Sequence, residues 1–173
     1  DGNIDNVFRY NSIVGNAYGF MNGTGSPTDA SLIWWGDGGG PSGEGPGTGD
    51  AVSTNVIYSP WLGIDPDSDP TTVGVQITDP MLIVVDDIGP APANGYLNAA
   101  IAGSNELPAE DTIEVRHGTY DASEPITDGV TILSEVGSTE NTFLNGDLLI
   151  DAVNVLIGQM RQGFTINGPM TVG

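Results

Sequence analysis

The chain has 173 residues, with 23 acidic side chains against three arginines and no lysine, for a formal charge of −20; it has 26 glycines, 12 prolines and no cysteine. The length suits one domain or two small pieces, and the missing cysteines exclude disulfide staples, thiolate zinc sites and cysteine nucleophiles. With basic groups only at Arg9, Arg116 and Arg161, a surface that tracks nucleic-acid phosphates or an anionic membrane is excluded.

Residue 1 is Asp with no signal-like apolar stretch behind it, so the chain reads as a processed chain, a fragment or a repeat unit. Residues 1–62 hold short apolar runs, Val7-Phe8, Ser12-Ile13-Val14 and Ala30-Ser31-Leu32-Ile33-Trp34-Trp35. The Gly/Pro stretch over 36–49 interrupts them and fits neither helix nor regular strand, which predicts short strands and loops. Residues 63–80 hold three prolines and four aspartates and read as an extended connector, with one alternating strand at Val73, Val75 and Ile77.

From 81 to 173 the pattern becomes short strands at regular distances: Leu82-Ile83-Val84-Val85, Thr112-Ile113-Glu114-Val115, Val130-Thr131-Ile132-Leu133, Leu148-Leu149-Ile150, Val155-Leu156-Ile157, Phe164-Thr165-Ile166 and Met170-Thr171-Val172. Ile113, Ile132, Ile150 and Ile166 are spaced by 19, 18 and 16 residues. Strands this short make poor hairpin sheets, and the regular spacing predicts a β-solenoid in which each turn stacks on the one before. No apolar run reaches the ~18 residues of a membrane span, so no membrane insertion is expected. One helix is predicted over 94–102, with Asn94 as cap, Leu97 and Ile101 on one face and Gly103 as stop, covering the end of the solenoid.

Two stretches carry a family resemblance. Val84-Val85-Asp86-Asp87, the helix, Asp111-Thr112-Ile113-Glu114-Val115-Arg116-His117-Gly118-Thr119-Tyr120 and Gly129-Val130-Thr131-Ile132-Leu133 resemble the start of a right-handed parallel β-helix of the pectin-lyase-like kind, which usually has Pro where this chain has His117. Trp34-Trp35-Gly36, the Gly/Pro loop and 49–62 resemble the end of such folds in surface and secreted proteins. The resemblance implies an all-β fold, a right-handed parallel β-helix with a short capping helix, split into two half-modules. Residues 1–62 would hold the last coils of one β-helix, 63–80 a linker, and 81–173 the cap and first coils of another.

Each half would then have one open end, whose unpaired backbone groups and bare core must be covered. Three arrangements meet that demand: head-to-tail stacking on further copies or adjacent repeats, closure of the chain on itself, and simple truncation. The expected function is a non-enzymatic extracellular or cell-surface structural protein, a filament, surface layer or adhesin-like stalk built by coil-on-coil strand addition. The assembly residues would be Asp1, Ile4, Val7, Phe8 and Tyr10 at one end and Phe164, Ile166, Met170 and Val172 at the other. The alternative is a polysaccharide-binding or lyase-like secreted β-helix protein, whose chemistry needs a basic residue beside Ca²⁺-binding carboxylates; none of the three arginines sits in a matching motif.

Remaining candidates are weighed against simpler roles. Asp65, Asp67 and Asp69 have the spacing of a Ca²⁺ loop, but Pro70 replaces the glycine and Gln76 the bidentate Glu of an EF-hand, so Ca²⁺ is the only cofactor suggested and an acidic linker is the plain reading. Asp86 and Asp87 are a weaker cation pair. His117, the single histidine, reads as a solvated turn residue. Trp34, Trp35 and Trp61 read as packing residues, with sugar stacking as the alternative. Asn22-Gly23-Thr24 is an N-glycosylation sequon. The acidity fits a high-salt habitat, a cation-binding surface or solubility alike.

Overall fold

The computed structural model describes residues 8–67, 69, 71–77, 79–90, 95–108, 110–136, 142–159 and 161–173. The early strands are β1 (Tyr18–Phe20), β2 (Thr28–Asp29), β3 (Pro41–Gly43), β4 (Gly49–Val52), β5 (Val56–Ile57) and β6 (Trp61–Leu62). After the connector come β7 (Leu82–Val85), α1 (Tyr96–Ser104), β8 (Asp111–Val115), β9 (Gly118–Asp121), β10 (Val130–Ser134), β11 (Thr142–Asn145), β12 (Leu148–Ile150), β13 (Leu156–Ile157), β14 (Thr165–Asn167) and β15 (Met170–Val172).

These strands form five small sheets, ordered β1-β4-β3, β13-β10-β8-β7-β6, β14-β11-β9, β12-β15 and β2-β5. The pairings are parallel except for β6 with β7, where Trp61 faces Val84 and Leu62 faces Ile83. Alternation explains the central ladder. In β8 Ile113 and Val115 are buried while Thr112 and Glu114 are partly exposed, and in β10 Val130, Ile132 and Ser134 are buried opposite Asp111, Ile113 and Val115.

β7 is apolar at every position because it has a core on each side. Ile83 and Val85 enter the larger cluster with Leu97, Ile101, Ile113, Tyr120 and Ile132, whereas Val84 joins a second cluster with Ile33, Trp35, Val56, Tyr58 and Trp61. The run at 32–35 alternates in the same way: Leu32 and Trp34 pack against the larger cluster, Ile33 and Trp35 into the second. Adjacent tryptophans therefore serve opposite cores. The Gly/Pro loop closes tightly around Trp61, whose indole N–H donates to the Gly38 carbonyl at 3.1 Å. At Gly47 the chain touches the Gly40 carbonyl so closely that no Cβ fits.

Leu97 and Ile101 of α1 are buried on one face as the spacing predicts. Gly103 does not stop the helix, which continues to Ser104 with Asn105 as its C-cap. Its bare Cα is required by packing, since a Cβ there would lie 2.5 Å from Leu32 Cδ1. The predicted cap Asn94 lies outside the described residues.

The expectation of a right-handed parallel β-helix split into two half-modules is overturned. The strands belong to several small sheets, the largest of them mixed, rather than to one solenoid of equivalent turns. The isoleucines used as rung markers fall in three different sheets. Ile113 pairs with Ile132, but Ile150 pairs with Val172 and Ile166 with Leu144. Their even spacing reflects turns of similar length between strands, not one recurring position. The two parts are also joined through β6 and β7, so the segment before the connector completes the sheet that follows it.

Candidate functional site

The candidate site is the outer edge formed by β13, β14 and β15. Three rows of side chains run across parallel strands toward it, in register: Ile113, Ile132 and Ile157; Tyr120, Leu144 and Ile166; Ile126, Ile150 and Val172. In each row the first two members are buried and the last is not. Ile157 and Ile166 are half-buried, and Val172 is 72% exposed. Leu156 and Met170 add exposed apolar surface on the same strands. Among the described residues no strand pairs with the outer side of β13, β14 or β15.

Backbone polarity along β15 follows from two bonds. Leu148 N–H donates to the Pro169 carbonyl at 3.1 Å and Gly173 N–H to the Ile150 carbonyl at 2.9 Å. Odd-numbered residues thus bond to β12, and alternation turns the N–H and C=O groups of Met170 and Val172 outward. The edge joins an uncovered margin of core to unpaired backbone donors and acceptors.

Of the assembly residues expected from sequence, Phe164, Ile166, Met170 and Val172 come together at this edge. Asp1, Ile4 and Val7 lie outside the described residues. Phe8 is exposed and meets Phe20 edge-on with ring centroids 5.3 Å apart. Tyr10 is tied inward, because its hydroxyl donates to the Gly103 carbonyl at 3.1 Å and to Glu106 Oε2 at 3.0 Å. Burial, and next the Glu106 carboxylate, push the Tyr10 phenol well above its ordinary range.

Asp65, Asp67 and Asp69 are not gathered around a point. Asp65 Oδ1 accepts from Asp67 N–H at 3.0 Å, Asp67 Oδ1 from Asp69 N–H at 3.3 Å, and Asp69 Oδ1 from Thr71 N–H at 3.0 Å. Each carboxylate thus folds onto its own downstream backbone, giving a string of local turns. The Thr71 and then the Thr72 hydroxyl hold the Asp69 carboxyl below its usual range. Among the described residues no three His, Cys, Asp or Glu side chains form a group able to hold a metal.

Asp86 is engaged elsewhere. Its buried carboxylate accepts from Arg116 Nη1 at 3.1 Å, and its backbone N–H donates to Ser59 Oγ at 3.0 Å. Tyr58 and Tyr120 lie near this pair, with Tyr96 next to Tyr58. Burial pushes the Tyr58 and Tyr96 phenols up to about 12 and raises Tyr120 further still. These groups form a packed seam between the two parts of the chain. Sequence reasoning missed the seam, since Arg116 looked unattached when read alone.

His117 is exposed between β8 and β9, with Nδ1 3.7 Å from Glu135 Oε2. Asn22 Nδ2 donates to the Ser26 and Asn55 carbonyls, both at 2.8 Å, and Asn22 Oδ1 accepts from the Thr24 hydroxyl at 2.7 Å. The sequon amide therefore ties its own loop to the turn between β4 and β5. A cleft of roughly 600 Å³ is lined by Trp34, Asn16, Asp50 and Asp65 among others, and its charged lining side chains are both acidic. Asn16 fixes Asp50 by donating its backbone N–H at 2.9 Å and its side-chain amide at 2.8 Å. Comparison with known families, with curated proteins and with solved structures finds no match to this chain.

Proposed function

We propose that this chain is a non-enzymatic structural module of an extracellular assembly that joins further copies of itself or adjacent repeats by strand addition at β13, β14 and β15. The observation that carries the reading is the loss of cover at the last member of all three side-chain rows. A parallel strand laid on this edge would take up the outward N–H and C=O groups and bury Ile157, Ile166, Met170 and Val172, at ~25 cal/mol per Å² of apolar surface. Backbone pairing supplies adhesion and the apolar margin supplies most of the affinity. The acidic surface disfavours nucleic acid and anionic lipid as partners.

Sedimentation velocity over a concentration series, with electron microscopy of the same samples, tests this reading. The wild-type chain is expected to form concentration-dependent assemblies. Val172→Pro, which removes an outward N–H while leaving the bonds to β12, is expected to shift the distribution toward monomer with an unchanged unfolding midpoint. A wild-type chain that stays monomeric at high micromolar concentration overturns the proposal, and so does a variant that assembles as well as wild type.

A further inference from the structure

We infer that residues 71–76 are a site for proteolytic processing by a protease with a small apolar specificity pocket, and that the cut chain persists as a two-fragment complex. Thr71, Thr72, Val73, Gly74 and Val75 are consecutive exposed residues, and Val73 is exposed in full. The hydrogen bonds described in this stretch are local. Thr72 N–H donates to the Asp69 carbonyl at 3.1 Å, Thr71 and Thr72 hydroxyls donate to the Asp69 carboxylate at 2.6 Å, and Gln76 Nε2 reaches the Gly74 carbonyl at 2.6 Å. A protease needs several residues drawn out as an extended strand. At 71–75 that costs a few local turns of exposed residues, which places the stretch at the low end of local opening energies, while Gln76 and Ile77 beyond it are partly buried and Ile77 packs against the larger core.

The residue types set the protease class. The connector over 63–80 contains no Lys, Arg or aromatic residue, which denies a site to proteases that read those side chains. Val73 offers a small branched side chain, followed by Gly74 rather than Pro. Water adds across the Val73–Gly74 peptide bond, leaving a carboxylate on Val73 and an amine on Gly74.

Contacts across the connector hold the two pieces together after the cut. Trp61 and Leu62 pair with Val84 and Ile83, Gly63 N–H donates to the Leu82 carbonyl at 2.6 Å, and Ser59 exchanges two hydrogen bonds with the backbone of Asp86. Further away, Tyr10 bonds to Gly103 and Glu106, Leu32 lies among the side chains of the larger core, and Arg116 covers Trp61. The piece over 1–73 thus contributes a strand and core side chains that the piece over 74–173 lacks. This is donor-strand completion of one sheet by another fragment.

The test is limited digestion of the native chain with a pancreatic elastase, followed by intact-mass analysis and by size exclusion without denaturant. The expected result is one early cut within 71–76, both fragments in one peak at the elution volume of the uncut chain, and an unchanged far-ultraviolet spectrum. Val73→Asp combined with Val75→Asp is expected to slow that cut about tenfold or more, as one pocket mismatch does in a small apolar site. A first cut inside 8–62 or 81–173 overturns the processing site. Fragments that separate, or unfold, overturn the complex. A chain carrying the recognition sequence of a sequence-specific protease between Gly74 and Val75 tests persistence of the complex independently of elastase preference.

Discussion

Arg116 lies over Trp61, its guanidinium carbon 4.8 Å from the ring centroid. The same guanidinium donates to Asp86 Oδ2 at 3.1 Å and to the Gly39 carbonyl at 3.4 Å, so one side chain touches the Gly/Pro loop, the last strand before the connector and the end of the first strand after it. A planar, permanently charged group can stack and donate at once, which an ammonium cannot.

Replacing that group leaves a buried carboxylate with its charge uncompensated. Arg116→Met is expected to destabilise the fold by roughly 3 kcal/mol, the usual cost of removing one partner of a buried pair. Arg116→Lys should recover less than half of the loss, since the stack and the second donor are gone. Adding Asp86→Asn to Arg116→Met should restore part of it by removing the stranded charge. Urea unfolding of the four proteins measures this; equal stability of Arg116→Met and wild type would mean that the seam contributes nothing.

Asp111 gives a pH dependence. It is buried, Oδ1 accepts from Met81 N–H at 2.8 Å, and Oδ2 has no hydrogen-bond partner. Burial raises its pKa, opposed by the bond from Met81 and by the nearby Ser104 hydroxyl and reinforced by the Asp128 charge. A raised carboxyl stabilises the fold in its protonated form. Its contribution is complete below the unfolded value of about 3.9 and is lost as pH rises through the folded value. Asp111→Asn keeps the Met81 bond and drops the charge. It should be more stable than wild type at pH 7, with the difference shrinking toward pH 4. Chemical unfolding of both proteins at several pH values checks this and cancels the background from the other carboxylates.

How much of this was readable in the residues depends on reach along the chain. The face of α1 was legible because Leu97 and Ile101 are one turn apart. So was the alternation in β8 and β10, which needs only neighbouring residues. The opposite aim of Trp34 and Trp35 also follows from local geometry. What failed was register. β6 has two residues, too few for a periodic signal, and its antiparallel partner lies beyond the connector. The isoleucine spacing was real, but spacing does not say which sheet a strand joins. Gly103 carries a terminator's composition, and only Leu32, 71 positions earlier, reveals its packing role. At the edge, Ile166, Met170 and Val172 were legible as strand residues, whereas Phe164 falls just before β14, and the lack of cover came from the three rows taken together.

The Gly103 contact predicts a sign. Alanine at an exposed helix position gains about 1 kcal/mol over glycine, yet here the new Cβ would sit 2.5 Å from Leu32 Cδ1 in a fully buried site. Overpacking of that kind costs typically 1–3 kcal/mol, so Gly103→Ala should destabilise. Leu32→Val beside it makes room, and the two losses should sum to more than the double variant shows. Thermal unfolding of the set decides; a stabilised Gly103→Ala would mean that Leu32 moves aside freely.

Salt should control the assembly proposed for the β13, β14 and β15 edge. Each copy carries a formal charge of −20, so two copies repel as they approach. The screening length falls from about 10 Å at 0.1 M salt to about 3 Å at 1 M. The edge strands themselves offer apolar and backbone groups: among Leu156, Ile157, Thr165, Ile166, Asn167, Met170, Thr171 and Val172 there is no charged side chain. Repulsion is therefore a whole-surface term that salt weakens, whereas pairing and apolar burial at the edge survive it. Association measured by sedimentation should strengthen from 0.05 to 1 M NaCl, and MgCl₂ at equal ionic strength should give a similar curve if screening alone is responsible. Association that weakens with salt would assign the contact to charged groups and remove the edge as its site.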